Sequence, residues 1–300
     1  MKKKTYLFAL MAMVLTLGSC SDNENGIGGE TSKYITVSTS IGNMTRVATD
    51  ANGGQTFEEG DEISVYAWTG APTVAPETSE RVVNNAINKL TNGSWISTPQ
   101  MLWKNNREKH YFIGVYPTAA ISDLSAGEYT FDANKQTESD LLVAVNPDGL
   151  SYSADAQQTV PLTFTHVMAK LAVNLTYKNQ WGGIPTVEKV VVGNAAKEAT
   201  INYLTKVVTP STTAKEDFSL PEITENTKYV SVIIPQEDVK QLTIVIGGKN
   251  FVYDNGTPFK LESGKITTVN LEVGRDEIKL GDVKITDWED GSTFGGEALN

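Results

Sequence analysis

Few residues in this chain have the types and the spacing that catalysis or metal binding requires. The chain contains two histidines, His110 and His166, and this number is too small for most metal sites. It contains no Gly-x-Ser-x-Gly, phosphate-loop or His-Glu-x-x-His pattern. The 36 Asp and Glu residues form many accidental carboxylate pairs, so an enzyme with paired carboxylates in a cleft stays as a distant alternative. The sequence therefore predicts no enzyme, no catalytic residue, no metal site and no cofactor.

Covalent processing is better supported, and its first candidate is the single cysteine, Cys20. Three lysines precede an apolar segment, Tyr6–Leu17, which is too short to span a bilayer as a stable anchor. The segment leads into Leu17-Gly18-Ser19-Cys20, which resembles the bacterial lipobox. We therefore predict that residues 1–20 are a lipoprotein signal peptide and that Cys20 carries the lipid, for example palmitate. Ordinary signal-peptide cleavage beside an incidental cysteine is the alternative.

The second candidate for processing is Arg46, one of only four arginines in the chain. It lies among small and polar residues, in the extended, accessible kind of segment that a trypsin-like protease cuts. The preceding stretch, Tyr34–Ile41, alternates between two sides as a half-buried strand does. We interpret it as a first strand that is removed by a cut between Arg46 and Val47. An edge strand followed by an ordinary loop is the alternative. The side of this strand that we expect to face the core consists of Ile35, Val37, Thr39 and Ile41.

The rest of the chain has the pattern of an all-β protein. Short alternating segments are separated by Gly, Pro and Asn turns, and only residues 79–90 and 236–240 suggest helix. A length of 300 residues favours about two domains. We predict two tandem antiparallel β-sandwich domains, at 34–158 and 159–300, after a flexible polar linker at 21–33. The net charge of −11 argues against nucleic acid as a partner.

Five tryptophans could include a platform on which sugar rings stack, although scattered tryptophans in a sandwich belong more often to the core or an edge. They are Trp68, Trp95, Trp103, Trp181 and Trp288.

Several segments together resemble the fimbrillin family, the subunits of type V pili of Bacteroides-type bacteria. No single segment is decisive, but their order and the lipobox at Cys20 make chance agreement improbable. The resemblance extends over nearly the whole chain. The matching segments are Met44–Ala48, Phe57–Ala67, Tyr116-Pro117, Asp140–Ala144, Leu162–Leu171, Leu261–Val269 and Ile285–Trp288.

The resemblance implies two transthyretin-like β-sandwich domains and a lipoprotein precursor on the cell outer membrane. It implies maturation by an arginine-specific or trypsin-like protease, followed by donor-strand exchange. In this exchange, a strand of a neighbouring subunit fills the groove that the excised first strand leaves. The implied partners are other fimbrial subunits, in a homo- or hetero-polymer, and a host glycan or protein ligand in cell adhesion.

A stalk subunit must also donate a strand from its C-terminal region. The candidate is Ile278–Trp288, in which Val283, Ile285 and Trp288 are the large apolar residues. Residues 289–300 are acidic and rich in glycine. Either this segment is the donor, or the chain accepts a strand without giving one, as a tip or accessory subunit would. The competing function is that of a surface lipoprotein that binds glycan and does not polymerise.

Overall fold

The regular secondary structure of the described residues is almost entirely β-strand, which confirms the predicted fold class. The structure is a computed structural model that describes residues 33–42, 57–136, 138–154, 158–254 and 256–288. The only helical elements in these ranges are two short 3-10 turns, at Thr78–Glu80 and Asn179–Trp181. The strands of the N-terminal half are β1 (Thr36–Ile41), β2 (Glu62–Thr69), β3 (Val83–Thr91), β4 (Ser94–Thr98), β5 (His110–Tyr116), β6 (Gly127–Thr130), β7 (Leu142–Leu150) and β8 (Thr159–His166).

Seven of these strands form one sheet, in the order β1-β8-β7-β5-β2-β3-β4. The Asn92-Gly93 turn joins β3 to β4 as a tight hairpin, and both of its residues have positive φ, as such turns require. Strand β6 instead joins a three-stranded sheet, β12-β11-β6, with strands of the C-terminal half. Two of its strands are β11 (Glu198–Asn202) and β12 (Val207–Pro210).

The C-terminal half contains two further sheets, in the orders β13-β10-β16-β17 and β14-β15-β9-β18-β19. Their strands are β9 (Ala169–Tyr177), β10 (Val187–Ala196), β13 (Lys215–Ser219), β14 (Glu222–Thr224), β15 (Lys228–Ile233), β16 (Gln241–Ile246), β17 (Lys249–Asp254), β18 (Lys265–Val273) and β19 (Ile278–Asp287).

Two clusters of buried side chains form the core. The first lies on one face of the seven-stranded sheet and includes β1. The second begins on the opposite face, at residues such as Tyr66 and Ile113, and continues through the C-terminal sheets. Strands β2 and β5 are therefore covered on both faces, and the second cluster extends through both halves of the chain.

The pairing is antiparallel except between β1 and β8 and between β9 and β18. Strand β8 pairs with β7 and β1 rather than with C-terminal strands. Strand β9, which follows β8 after two residues, belongs to the five-stranded sheet. We therefore propose a domain boundary between His166 and Ala169 in place of one before Thr159.

The helix prediction for residues 79–90 is wrong, because this segment contains most of strand β3. A bulge explains the error: Ala86 pairs with Val65 and Val83 with Ala67, so two residues of β3 oppose one of β2. The buried Val83 and Ala86 are consequently three residues apart, a spacing typical of a helix. The prediction for 236–240 is also wrong, since this segment is a loop in which Gln236 bridges to Leu261.

Candidate functional site

Strand β1 is an edge strand that, among the described strands, forms a ladder with β8 alone. It runs parallel to β8, with Val37 opposite Val160, and Ile41 opposite Phe164. The amide of Gly42 continues this ladder by donating to the carbonyl of Phe164 at 2.9 Å. One side of β1 is therefore held by the regular hydrogen bonds of a sheet.

The other side of β1 faces the segment that follows β4, because the seven-stranded sheet curls until its two edges approach each other. The Ile35 amide donates to the carbonyl of Met101 at 2.9 Å, and the Trp103 amide donates to the carbonyl of Lys33 at 3.2 Å. Residues 35–41 thus fill a space between β8 and residues 101–103, which we call the β1 slot. Removal of residues 33–41 would leave unpaired backbone groups along β8 and at Met101 and Trp103, which is a template for another strand.

The inward face of residues 35–41 matches the prediction from the sequence. Ile35, Val37 and Ile41 are buried, with 3%, 7% and 8% of their surface exposed. Thr39 is only partly buried, and its hydroxyl accepts a hydrogen bond from the indole N–H of Trp95 at 3.0 Å. The slot therefore presents three apolar sites and one hydrogen-bond donor. The buried cluster that surrounds it includes Ile63, Val65, Met101, Trp103, Phe112, Leu142, Val160, Leu162 and Phe164.

The outward face of β1 is polar and contacts β8 through hydroxyl groups. The Thr36 and Thr159 hydroxyls are 3.2 Å apart, and Ser40 donates to the Thr163 hydroxyl at 3.2 Å. These side chains are exposed or only half-buried, so this face contributes less to the stability of the strand than the inward face does.

A close backbone approach shapes the end of the slot near Ile41. Gly114 of β5 lies under the Phe164 ring, where a Cβ atom would come within 2.6 Å of Phe164 Cζ. Phe57 packs edge-on against three aromatic rings at this end, with centroid distances of 5.3 Å to Trp95, 5.3 Å to Tyr116 and 5.1 Å to Phe164. The chain thus leaves the slot at Gly42 and returns to the same end at Phe57.

Three of the predicted site residues lie outside the described residues. Cys20, the predicted lipidation site, precedes the first of them, and Arg46 and Val47 fall between Gly42 and Phe57. Their assignments stay predictions.

The candidate donor segment forms β19, at the edge of the five-stranded sheet. It pairs with β18, where Val283 lies opposite Val269 and Ile285 opposite Thr267. Val283 and Ile285 are 38% and 40% exposed, although Val269 and Thr267 are fully buried. Strand β19 therefore exposes two apolar side chains that a groove on another chain would cover. Trp288 differs from them, since it is buried against His166 and Lys170.

The tryptophans do not form an exposed platform for sugar rings. Trp68, Trp103 and Trp288 are buried, and Trp95 and Trp181 are half-buried. Trp68 and Trp103 reach one surface pocket beside Arg81. The Arg81 guanidinium is directed into the protein, where it donates to the Ile121 carbonyl at 2.6 Å and to the Asn84 side chain at 2.9 Å. Burial lowers the pKa of Arg81. This arginine holds a loop in place, and the pocket offers little indole surface.

Other kinds of site are also missing from the part of the chain that the structure describes. Within the described ranges, His, Cys, Asp and Glu side chains do not gather in groups of three or more that could hold a metal ion. The same residues contain no helix that is long and apolar enough to cross a membrane.

Sequence reasoning missed the residues that form the far wall of the slot. These residues are Trp95, Met101 and Trp103, and they are far in sequence from the segment that they contact. Trp95 Nε1, for example, donates to the Thr39 hydroxyl across a separation of 56 residues. The Asn92-Gly93 turn predicts the hairpin that carries Trp95 but not the curl that brings this hairpin to β1.

Comparison with known proteins agrees with this architecture. The family profile described as fimbrillin-like matches residues 45–288. Fim1C of Bacteroides uniformis, which is assigned as a fimbrium subunit, is 25% identical over 325 residues, covering 100% of this chain and 99% of the relative.

Two crystal structures of proteins assigned to cell adhesion share the fold. The protein from Bacteroides uniformis has a TM-score of 0.61 at 16% identity, over 86% of this chain and 100% of its own. The protein from Bacteroides ovatus has a TM-score of 0.62 at 18% identity, over 85% of this chain and 98% of its own.

Proposed function

Because this chain belongs to the fimbrillin-like family, we propose that it is a fimbrial subunit that assembles by protease-triggered strand exchange. A protease cuts between Arg46 and Val47, and the residues before the cut then leave the β1 slot. A strand of another subunit replaces them. Adhesion of the assembled fimbrium to a host glycan or protein is the biological role.

The observation that carries this proposal is the position of β1 at a sheet edge with a buried inward face. An edge strand can leave without breaking the ladders of the remaining six strands. Departure of residues 33–41 uncovers an apolar slot, the backbone groups along β8 and those of Met101 and Trp103, and all of these favour the entry of a new strand.

Cleavage alone is not sufficient to empty the slot. Burial of Ile35, Val37 and Ile41 contributes about 1.5–3 kcal/mol each, so roughly 5–9 kcal/mol opposes departure of the cut strand. An incoming strand with similar side chains must therefore compete for the slot. This requirement keeps the cut subunit folded until a partner arrives.

The chain downstream of the cut has an anchor of its own. Phe57 packs against Trp95, Tyr116 and Phe164, none of which belongs to the removed segment. Phe57 therefore stays anchored in the sandwich beside the slot after β1 has left.

The precursor is proposed to reach the cell surface as a lipoprotein. Residues 1–20 act as the signal peptide, Cys20 carries the lipid that anchors the precursor to the outer membrane, and residues 21–33 act as a linker. The cut after Arg46 separates the lipid from the sandwich, so the mature subunit is held by the fimbrium instead.

The role of this subunit within the fimbrium depends on β19. If β19 is the donor, it must leave β18 and insert Val283 and Ile285 into the slot of a neighbour, as in a stalk. If β19 stays in place, the subunit accepts a strand without giving one, as a tip or accessory subunit would.

The Arg46→Ala variant tests the proposal, with Arg107→Ala as the matched control because Arg107 is an exposed arginine outside the predicted cleavage segment. We expect Arg46→Ala to remain a folded, full-length monomer, whereas Arg107→Ala and the wild type mature and form oligomers that resist mild denaturant. Assembly of Arg46→Ala at the wild-type level would contradict the proposed trigger, because assembly would then not need the cut. A wild type that is neither cut nor assembled would favour the alternative, a surface lipoprotein that binds glycan and does not polymerise.

A further inference from the structure

The β1 slot has one polar position within an apolar row. Along residues 35–41, the first, second and fourth inward side chains are Ile35, Val37 and Ile41. The third is Thr39, whose hydroxyl lies 3.0 Å from Trp95 Nε1. An indole N–H can only donate, so this position requires an acceptor on the strand that fills the slot.

Trp95 is held so that its N–H stays directed at this position. It lies in β4 opposite Leu90, directly after the tight Asn92-Gly93 turn. The Phe57 ring packs edge-on against its indole at 5.3 Å, with an interplanar angle of 83°. The donor is therefore part of the slot rather than of the strand, and it remains when β1 leaves.

We propose that Trp95 is a specificity-determining residue of the slot, which selects strands with the inward pattern apolar, apolar, side-chain oxygen, apolar. This inference rests on the proposed strand exchange and names the partner: a strand that runs parallel to β8, as β1 does, with Ser, Thr or another acceptor at its third inward position. A strand with an aliphatic residue there leaves the indole N–H without an acceptor, and this loss lowers its affinity.

The C-terminal region of this chain does not contain such a strand. With Val283 and Ile285 at the first two inward positions, Asp287 offers an acceptor at the third but Glu289 occupies the fourth. In the other apolar register of β19, which begins at Ile278, the fourth inward residue is Lys284.

Either register would place a charge at the site of Ile41, beside Phe164, where burial without a partner is costly. No window of residues 278–300 meets all four requirements in either chain direction. Residues 278–300 of a second copy of this chain therefore do not fit the slot, and the preferred donor is a strand of a different subunit.

A double-mutant cycle on the full chain, cut after Arg46, tests the proposal. The probes are a synthetic peptide with the sequence of residues 34–42 and the same peptide with Thr39→Val, which keeps the shape and removes the hydroxyl. The protein partners are the wild type and Trp95→Phe. A Ser38→Ala peptide is the control, because Ser38 is exposed on the outward face.

We expect Thr39→Val to weaken binding to the wild type about five- to tenfold, the effect of one lost hydrogen bond. The same change should have little effect on binding to Trp95→Phe, and Ser38→Ala should have little effect on binding to either protein. Equal binding of the unchanged and Thr39→Val peptides to the wild type would overturn the role of Trp95 but would leave strand exchange intact. If Trp95→Phe does not fold, this comparison on the wild type alone still decides the question.

A further peptide, with the sequence of residues 283–289, tests the identity of the partner. We expect it to bind at least about a hundredfold more weakly than the 34–42 peptide, because it places Glu289 at the Ile41 site. Equal binding would overturn the preference for a different subunit. If the cut protein captures none of the peptides, including that of residues 34–42, the proposed strand exchange itself fails.

Discussion

The indole of Trp288 is stacked on the imidazole of His166, with ring centroids 4.0 Å apart and planes 6° from parallel. His166 ends β8 of the seven-stranded sheet, whereas Trp288 directly follows β19. Lys170 Nζ lies 4.1 Å from the Trp288 ring, and His166 Nδ1 lies 2.9 Å from Asp140 Oδ1. The end of the candidate donor strand is therefore fixed to the N-terminal sheet.

The Trp288→Ala variant should release the end of β19. Loss of a buried tryptophan side chain costs about 3–5 kcal/mol where it occurs in a core, and here the loss removes contacts at the end of an edge strand. We expect faster amide hydrogen exchange across β19 while exchange in β5 is unchanged. Val283→Ala is the control, because Val283 is 38% exposed and its truncation should have a small effect. Unchanged exchange in β19 of Trp288→Ala would show that Trp288 does not hold the strand.

Lys170 should make the stability of the protein depend on pH. Burial lowers the pKa of Lys170 to about 8, from an ordinary value of 10.5. Between these values the unfolded chain binds more protons than the folded one, so the free energy of unfolding rises with pH by up to about 1.4 kcal/mol per unit. Below pH 8 this contribution is constant, because the lysine is charged in both states.

Urea unfolding of the wild type and of Lys170→Met, at about pH 8 and again at about pH 9.5, measures how the free energy of unfolding depends on pH. The range stops below about pH 10, above which buried tyrosines with a raised pKa, such as Tyr66, act in the opposite direction. We expect the free energy of unfolding to rise more steeply with pH in the wild type than in the variant. Parallel curves would mean that Lys170 titrates normally.

The direction of each side chain in β1 can be tested with two adjacent substitutions. Val37→Asp places a charge without a partner in the apolar slot and should destabilise the uncut precursor by about 3 kcal/mol or more. Ser38→Asp, on the exposed outward face, should change the free energy of unfolding by no more than about 0.5 kcal/mol. Equal melting temperatures for the two variants would mean that the assigned faces are wrong.

The lipid prediction concerns Cys20, the only cysteine. Cys20→Ser should accumulate as unprocessed precursor and should be absent from the detergent phase on phase separation, because the acylated thiol is lost. The Arg46→Ala precursor, which keeps Cys20, is the control and should remain in the detergent phase. Normal membrane fractionation of Cys20→Ser would refute the lipobox assignment.

The local features of the fold could be predicted from the sequence, since they depend on neighbouring residues. The alternation of Ile35, Val37 and Ile41 predicts the buried face of β1, and Asn92-Gly93 predicts the β3–β4 hairpin. Predictions from local sequence patterns were wrong where the strands contain bulges. Besides the bulge in β3, the segment Asn146–Gly149, whose Asn-Pro-Asp-Gly sequence is typical of a turn, is a bulge within β7, where Asn146 pairs with Phe112 and Leu150 with His110.

The site could be predicted only in part. The strand that fills the slot has a sequence pattern of its own, whereas the slot is made by contacts that are distant in sequence. Trp95 and Met101 approach β1 because the sheet curls, and the curl results from the accumulated twist of seven strands rather than from any local pattern. The parallel pairing of β1 with β8 is likewise a tertiary property, since Ile41 and Phe164 are far apart in the chain.

The N-terminal sequence of the assembled surface form tests the central claim most directly. Fimbriae are sheared from cells, and the subunit is isolated and sequenced from its N-terminus beside the cell-bound precursor. We predict that the assembled subunit begins at Val47 and lacks residues 34–46, while the precursor begins at acylated Cys20. An assembled subunit that begins at Cys20 and retains residues 34–46 would contradict removal of β1, and with it the exchange of strands in the slot.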